Sequence, residues 1–133
     1  MALDVTTLRH TFALVIERNP SVTTRFYEVL FEKYPQVKPL FSPSGQKRQE
    51  AMLAQALVSV LEHLEDAPWL TETLKALGAK HKDYGVTREM YDWVGDALLI
   101  TLAETAAAQW TPPVARAWAD AYGAIASLML TEG

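Results

Sequence analysis

The sequence predicts an all-α fold, and three observations carry that expectation. Apolar residues recur three and four apart in successive segments, no segment alternates with period two, and prolines punctuate the periodic runs. The chain of 133 residues has no internal repeat and no linker long enough to divide it, so 1–133 reads as a single domain. Half of its residues are hydrophobic, enough to fill one core.

The elements follow in order. Asp4 caps a first helix whose apolar positions are Val5, Leu8, Phe12 and Val15, and Asn19-Pro20 ends it. Ser21 opens a second helix running to about Tyr34. Val22, Phe26 and Leu30 lie on one of its faces and Tyr27, Phe31 and Tyr34 on another, the pattern of a helix sandwiched between neighbours. Pro35 and Pro39 bracket a single tight helical turn that sets down Leu40 and Phe41, and Ser42-Pro43-Ser44-Gly45 is a loop.

A long helix is expected from about Gln46 to Glu65, with Leu53, Leu57, Val60 and Leu64 inside. The cluster Glu62, His63, Glu65 and Asp66 reads as a solvated face. Pro68 breaks the chain before a helix that carries Leu74, Leu77 and His81 on one stripe. Thr87 then caps a helix with Tyr91, Val94, Leu98 and Leu102 inward, and Thr111-Pro112-Pro113 starts the last one, which buries Val114, Trp118, Tyr122, Ile125 and Leu128 or Met129.

Composition narrows the function. A net charge of -4 without a basic stripe argues against nucleic acid or an acidic membrane as partner. No apolar run approaches a membrane span and the start lacks a leader, so a cytoplasmic, soluble protein is expected. The absence of cysteine removes disulfides, thiolate catalysis, iron–sulfur clusters and covalent haem attachment together. Three histidines with no His-x-x-x-His pair disfavour zinc. Any cofactor must be held without covalent links.

The stretch Leu74 to Val86 organises the rest. His81 continues a leucine stripe into the interior, and Gly85, four residues on, is suited to end that helix in a left-handed conformation. The stripe alone admits two readings: a core histidine satisfied by local hydrogen bonds, or an axial ligand to iron in an apolar pocket.

Taken together, the residues resemble the globin part of bacterial flavohaemoglobins and their single-domain relatives. The resemblance covers nearly the whole chain. It rests on Phe26-Tyr27 with Phe31, Pro39-Leu40-Phe41, Gln49 with Leu53, Leu77-Gly78 with His81, Tyr84-Gly85-Val86, Tyr91 with Val94-Gly95, and Ala117-Trp118 with Tyr122-Gly123. Order and spacing carry it: fourteen residues from Tyr27 to Phe41, thirty-two from Gln49 to His81 and ten from His81 to Tyr91. Only eight separate Phe41 from Gln49, which leaves no room for an extra helix there.

The resemblance implies a three-over-three helical sandwich around a b-type haem. His81 would be its proximal ligand, Phe41 would stack on the porphyrin, and Lys80 would reach a propionate. Leu53, Leu57, Leu77, Val86, Val94 and Leu98 would supply dry walls, and Tyr27 and Gln49 would be distal hydrogen-bond donors to a bound gas. On the proximal side the family pairs the histidine with a tyrosine and a glutamate. Tyr91 matches; in the glutamate's register stands Gly133, with Glu132 one position early and thus about 100° away around a helix.

The expected function is reversible binding of dioxygen, and of NO and CO, for oxygen storage, delivery or scavenging, by a monomer or homodimer. The alternative is a nitric oxide dioxygenase forming nitrate. Because the sequence stops where the flavohaemoglobin reductase would begin, that alternative needs a separate reductase. A gas sensor is disfavoured since no output domain follows, and a cofactor-free helical interaction protein is the remaining class. The resemblance gives no account of Trp93.

Overall fold

The computed structural model describes residues 3–41 and 45–130. Among the described residues there are six α-helices: α1 (Val5–Arg18), α2 (Val22–Lys33), α3 (Gln46–Glu62), α4 (Ala67–Asp83), α5 (Arg88–Ala106) and α6 (Pro112–Leu130). The 3-10 helices Pro35–Leu40 and Ala107–Gln109 follow α2 and α5. No strand occurs among the described residues.

Local chemistry sets the boundaries. The Asp4 carboxylate accepts from the Thr7 N–H at 3.2 Å and caps α1. α3 ends three residues earlier than the expected Glu65, because the His63 N–H turns back onto Ser59 and Val60 and the chain reverses through Asp66. Asp66 then caps α4 by accepting from the Trp69 N–H at 3.2 Å. Pro68 therefore lies inside the first turn of α4, not ahead of it; its missing N–H is one the helix start leaves unpaired anyway. The tight turn after α2 runs to six residues, and it leaves Leu40 exposed.

Two apolar clusters hold the helices. Leu8, Phe12 and Val15 of α1 meet Leu61, Leu102 and Trp118, and Phe26, Val29 and Leu30 of α2 meet Val37 and Ala97. Leu8, Leu30, Leu74 and Leu102 are fully buried, each contributing about 1.5–3 kcal/mol relative to an exposed side chain. Thr101 is buried as completely, and its hydroxyl is satisfied by donating to the Ala97 carbonyl at 2.8 Å. Trp93 stacks on Tyr34 with ring centroids 5.5 Å apart, which fastens α5 to the end of α2 and gives that tryptophan a structural place.

α4 packs against α6 through Gly78, where a Cβ would run into the Met129 backbone carbonyl. The same lack of side chain at Gly95 admits the Tyr122 ring, 2.5 Å from where a Cβ would stand. These approaches bring α4, α5 and α6 around a common space, with α3 across it.

Candidate functional site: an apolar cavity with one imidazole

The inner stripe of α3 is apolar yet not sealed. Leu61 is the buried residue of that helix, whereas Leu53, Leu57 and Val60 are half-buried. They face a cavity of about 210 Å³ bounded on its other sides by α4, α5 and α6. Leu77, His81, Val86, Tyr91, Val94 and Leu98 line the same space. The wall is aliphatic and aromatic, with the Met90 and Met129 thioethers and the Tyr91 and Tyr122 rings, and His81 brings an imidazole to it.

That imidazole is placed by the end of α4. Gly85 has a φ of 90°, the Gly85 N–H donates to the Lys82 carbonyl at 3.0 Å, and the Val86 N–H donates to the His81 carbonyl at 3.0 Å. This is the paired terminal hydrogen-bond pattern that a left-handed glycine permits. It fixes the backbone of His81 and folds Val86 back beside it in the cavity wall.

The ring is oriented as well. Nδ1 of His81 lies 2.8 Å from the Leu77 carbonyl oxygen. A carbonyl only accepts, so Nδ1 carries the proton and the lone pair is left on Nε2, as a metal-ligating histidine needs. His63 makes the same bond to Ser59 at 2.8 Å, but its ring stacks on Trp69 at 3.8 Å and does not line this cavity. The local bond is thus common to both histidines, and the apolar space distinguishes His81.

Tyr91 is buried with its ring centroid 6.4 Å from that of His81. Burial raises its phenol pKa, and its backbone carbonyl accepts from the Tyr122 hydroxyl at 2.6 Å. The partner of the His81 Nδ1 is the Leu77 carbonyl, not Tyr91. Glu132 and Gly133 lie outside the described residues, as does the Ser42-Pro43-Ser44 segment.

A second cavity, of about 540 Å³, lies between α2 and α3. Tyr27 and Phe41 line it, and Phe31 joins them: Tyr27–Phe41 centroids are 5.6 Å apart and Phe31–Phe41 centroids 5.4 Å, both edge-on. Among the described residues no hydrogen bond reaches the Tyr27 hydroxyl. Burial pushes its pKa up to about 12, with the nearby Glu50 charge adding to the effect.

Of the residues singled out from sequence, two line neither cavity. Gln49 is half-buried on α3, and Lys80 is exposed in the last turn of α4. The α3 side chains that do face Tyr27 are Gln46 and Glu50. Their signal was present in the sequence, since 46, 50, 53 and 57 form one helical stripe.

Among the described residues no group of three or more His, Cys, Asp or Glu could hold a bare metal ion. An ion taken up at His81 would need its other ligands from the group that carries it. A planar macrocycle with its own nitrogens suits a one-imidazole, apolar space.

Comparison with known proteins agrees with this architecture. The globin family model matches residues 24–129. The flavohemoprotein of Bacillus thuringiensis subsp. konkukian is 33% identical over 126 residues, covering 93% of this chain and 31% of the relative. That of Vibrio cholerae serotype O1 is 31% identical over 92% of this chain and 32% of its own length. The chain thus spans about a third of the length of these curated relatives. A bacterial globin from Campylobacter jejuni superposes with a TM-score of 0.81 at 25% identity, covering 96% of this chain and 92% of that one. A Pseudomonas aeruginosa PAO1 protein that is structurally highly homologous to a human hemoglobin gives 0.85 at 20% identity over 96% of both chains. With a globin model over most of its length and globin structures matching its helices, the chain belongs to the globin family.

Proposed function

We propose that this globin holds a b-type haem through His81 and reversibly binds dioxygen and other diatomic gases. The observation that carries the reading is the His81 tautomer: Nδ1 is tied to Leu77 and the lone pair on Nε2 is left for a cavity with otherwise apolar and aromatic walls. When bound, a ferrous haem supplies an open coordination position for a gas molecule.

The chain's own residues do the remaining work. Leu53, Leu57, Leu77, Val86, Val94 and Leu98 exclude water and favour burial of a flat apolar group. Phe41, braced edge-on by Tyr27 and Phe31, offers an aromatic contact. Tyr27 is protonated at neutral pH, and burial only raises its pKa further, so its hydroxyl is a donor for a ligand that gains negative charge. Gln49 as a second donor, Lys80 at a propionate and Tyr91 as a support of the His81 ring complete the reading by family likeness. Oxygen storage, delivery or scavenging all use these same groups.

The likeness to flavohemoproteins at 33% identity favours a second reading, in which the protein turns over nitric oxide and dioxygen to nitrate with electrons from a reductase. Spectra of the haem-loaded protein in ferric, dithionite-reduced and carbon-monoxide-bound forms test the first reading. Nitrate formed over many turnovers with an added reductase separates the second from simple gas binding. A protein that takes up no haem contradicts both.

A further inference from the structure

The cavity beside Tyr27 holds a fixed charge. Glu50 has both carboxylate oxygens engaged: Oε1 accepts from the Thr24 hydroxyl at 2.7 Å, and Oε2 accepts from the Gln46 amide at 3.1 Å. Thr24 stands three residues before Tyr27 on α2, and Gln46 four before Glu50 on α3. The Thr24 bond therefore ties the start of α3 to α2, and the Gln46 bond, within α3, holds the carboxylate in that orientation. All four residues line the one cavity. Gln46 spends one amide N–H on Glu50 and keeps its other N–H and its carbonyl oxygen.

We propose that Glu50 is a positioning residue that governs which gas the site prefers: gripped by Thr24 and Gln46, its carboxylate shares the cavity with Tyr27 and opposes any ligand there that gains negative charge. The inference rests on the reading of Tyr27 as the donor to such a ligand. Dioxygen draws electron density when it binds a ferrous centre, whereas carbon monoxide draws little. A carboxylate fixed in the same partly dry space destabilises the first and scarcely affects the second. The Glu50 charge adds to the effect of burial in raising the Tyr27 pKa, as expected of a carboxylate that shares the cavity with the phenol. The other charges around this cavity are Glu28 and Lys38, and Lys38 lies 5.9 Å from the Phe31 ring centroid.

The test compares oxygen and carbon monoxide release from haem-loaded wild type, Glu50→Gln, Tyr27→Phe and the double variant. Glu50→Gln is expected to slow oxygen release by about three- to tenfold and to change carbon monoxide release by less than about twofold. In the Tyr27→Phe background the oxygen effect should shrink. Thr24→Val, which frees the carboxylate, should move the oxygen rate, and Thr24→Ser should restore it. A second readout needs no haem: in the haem-free protein Glu50→Gln should lower the alkaline titration of one tyrosine by ultraviolet absorbance, and that shift should vanish with Tyr27→Phe. Equal effects on both gases, no effect on oxygen, or an unmoved tyrosine titration would each overturn the proposal. Wild type that takes up no haem instead overturns the underlying reading of Tyr27, while the haem-free titration still decides whether Glu50 acts on the phenol.

Discussion

The His81 imidazole is held by the Leu77 carbonyl one turn back on α4, Nδ1 to oxygen 2.8 Å. That bond decides which ring nitrogen is free, and the left-handed turn at Gly85 decides where the ring sits. Neither depends on a group from another helix. The helix end thus presents a pre-oriented ligand, and α3, α5 and α6 supply the apolar space around it.

Tyr27→Phe removes one hydroxyl from the α2–α3 cavity and leaves the ring packing with Phe26, Phe31 and Phe41 in place. Oxygen dissociation from the haem-loaded protein should accelerate at least about fivefold, the loss of one hydrogen bond of about 1 kcal/mol or more. Stopped-flow displacement of oxygen measures it, and an unchanged rate contradicts the donor role.

The two glycines of α4 and its turn should fail differently. Among the described residues Gly85→Ala meets only the Leu40 side chain, 4.0 Å away, so its cost is the left-handed backbone, about 1–2 kcal/mol. Gly78→Ala drives a methyl into the Met129 backbone and must part α4 from α6, at a cost of about 3 kcal/mol or more by analogy with overpacked cores. Urea unfolding of the two variants ranks them; a Gly78→Ala protein as stable as wild type would rule out the close helix approach.

Acid should weaken the fold through two surface carboxylates. Asp96 accepts from Lys33 at 2.5 Å and from the Tyr34 hydroxyl at 2.7 Å, and Glu104 accepts from Arg25 at 2.8 and 2.9 Å. The Lys33 and Arg25 bonds hold these carboxyls below their ordinary values of 3.8 and 4.5. Their folded pKa values lie below the unfolded ones, so the stabilisation is complete above about pH 4.5 and is lost as pH falls through the folded values. Both pairs are exposed, which keeps the effect small and salt-sensitive. Thermal melts between pH 2.5 and 7 should show a shallower acid limb in the Asp96→Asn, Glu104→Gln double variant than in wild type.

Haem should stabilise the chain by mass action. A ligand that binds only the folded state, present at 1,000 times its Kd, adds about 4 kcal/mol. The haem-free protein should therefore melt well below the haem-loaded one, and equal midpoints would show that the cavity is not a haem site.

Much of this architecture was legible in the sequence because helices announce themselves locally. The 3.6-residue stripes, the Asp4 cap, the prolines and Gly85 all act within one or two turns. The end of α3 was misplaced because apolar periodicity through Leu64 outlasts the helix itself, which stops where the chain turns into the Asp66 cap. Trp93 became intelligible only beside Tyr34, a residue on another helix. The polar side of the Tyr27 cavity was missed for the same reason. A motif singles out Gln49, but Gln46 and Glu50 are the α3 residues that line the cavity beside α2, where Glu50 accepts from Thr24.

The account depends on one bond-forming nitrogen, and titration of haem-free protein with haemin tests it most directly. Wild type should bind one equivalent and, once reduced, give the spectrum of a single-imidazole haem with carbon monoxide. His81→Gly should lose that spectrum and regain it when free imidazole is added to fill the space. A His81→Gly protein with the wild-type Soret band and no response to imidazole would contradict the account.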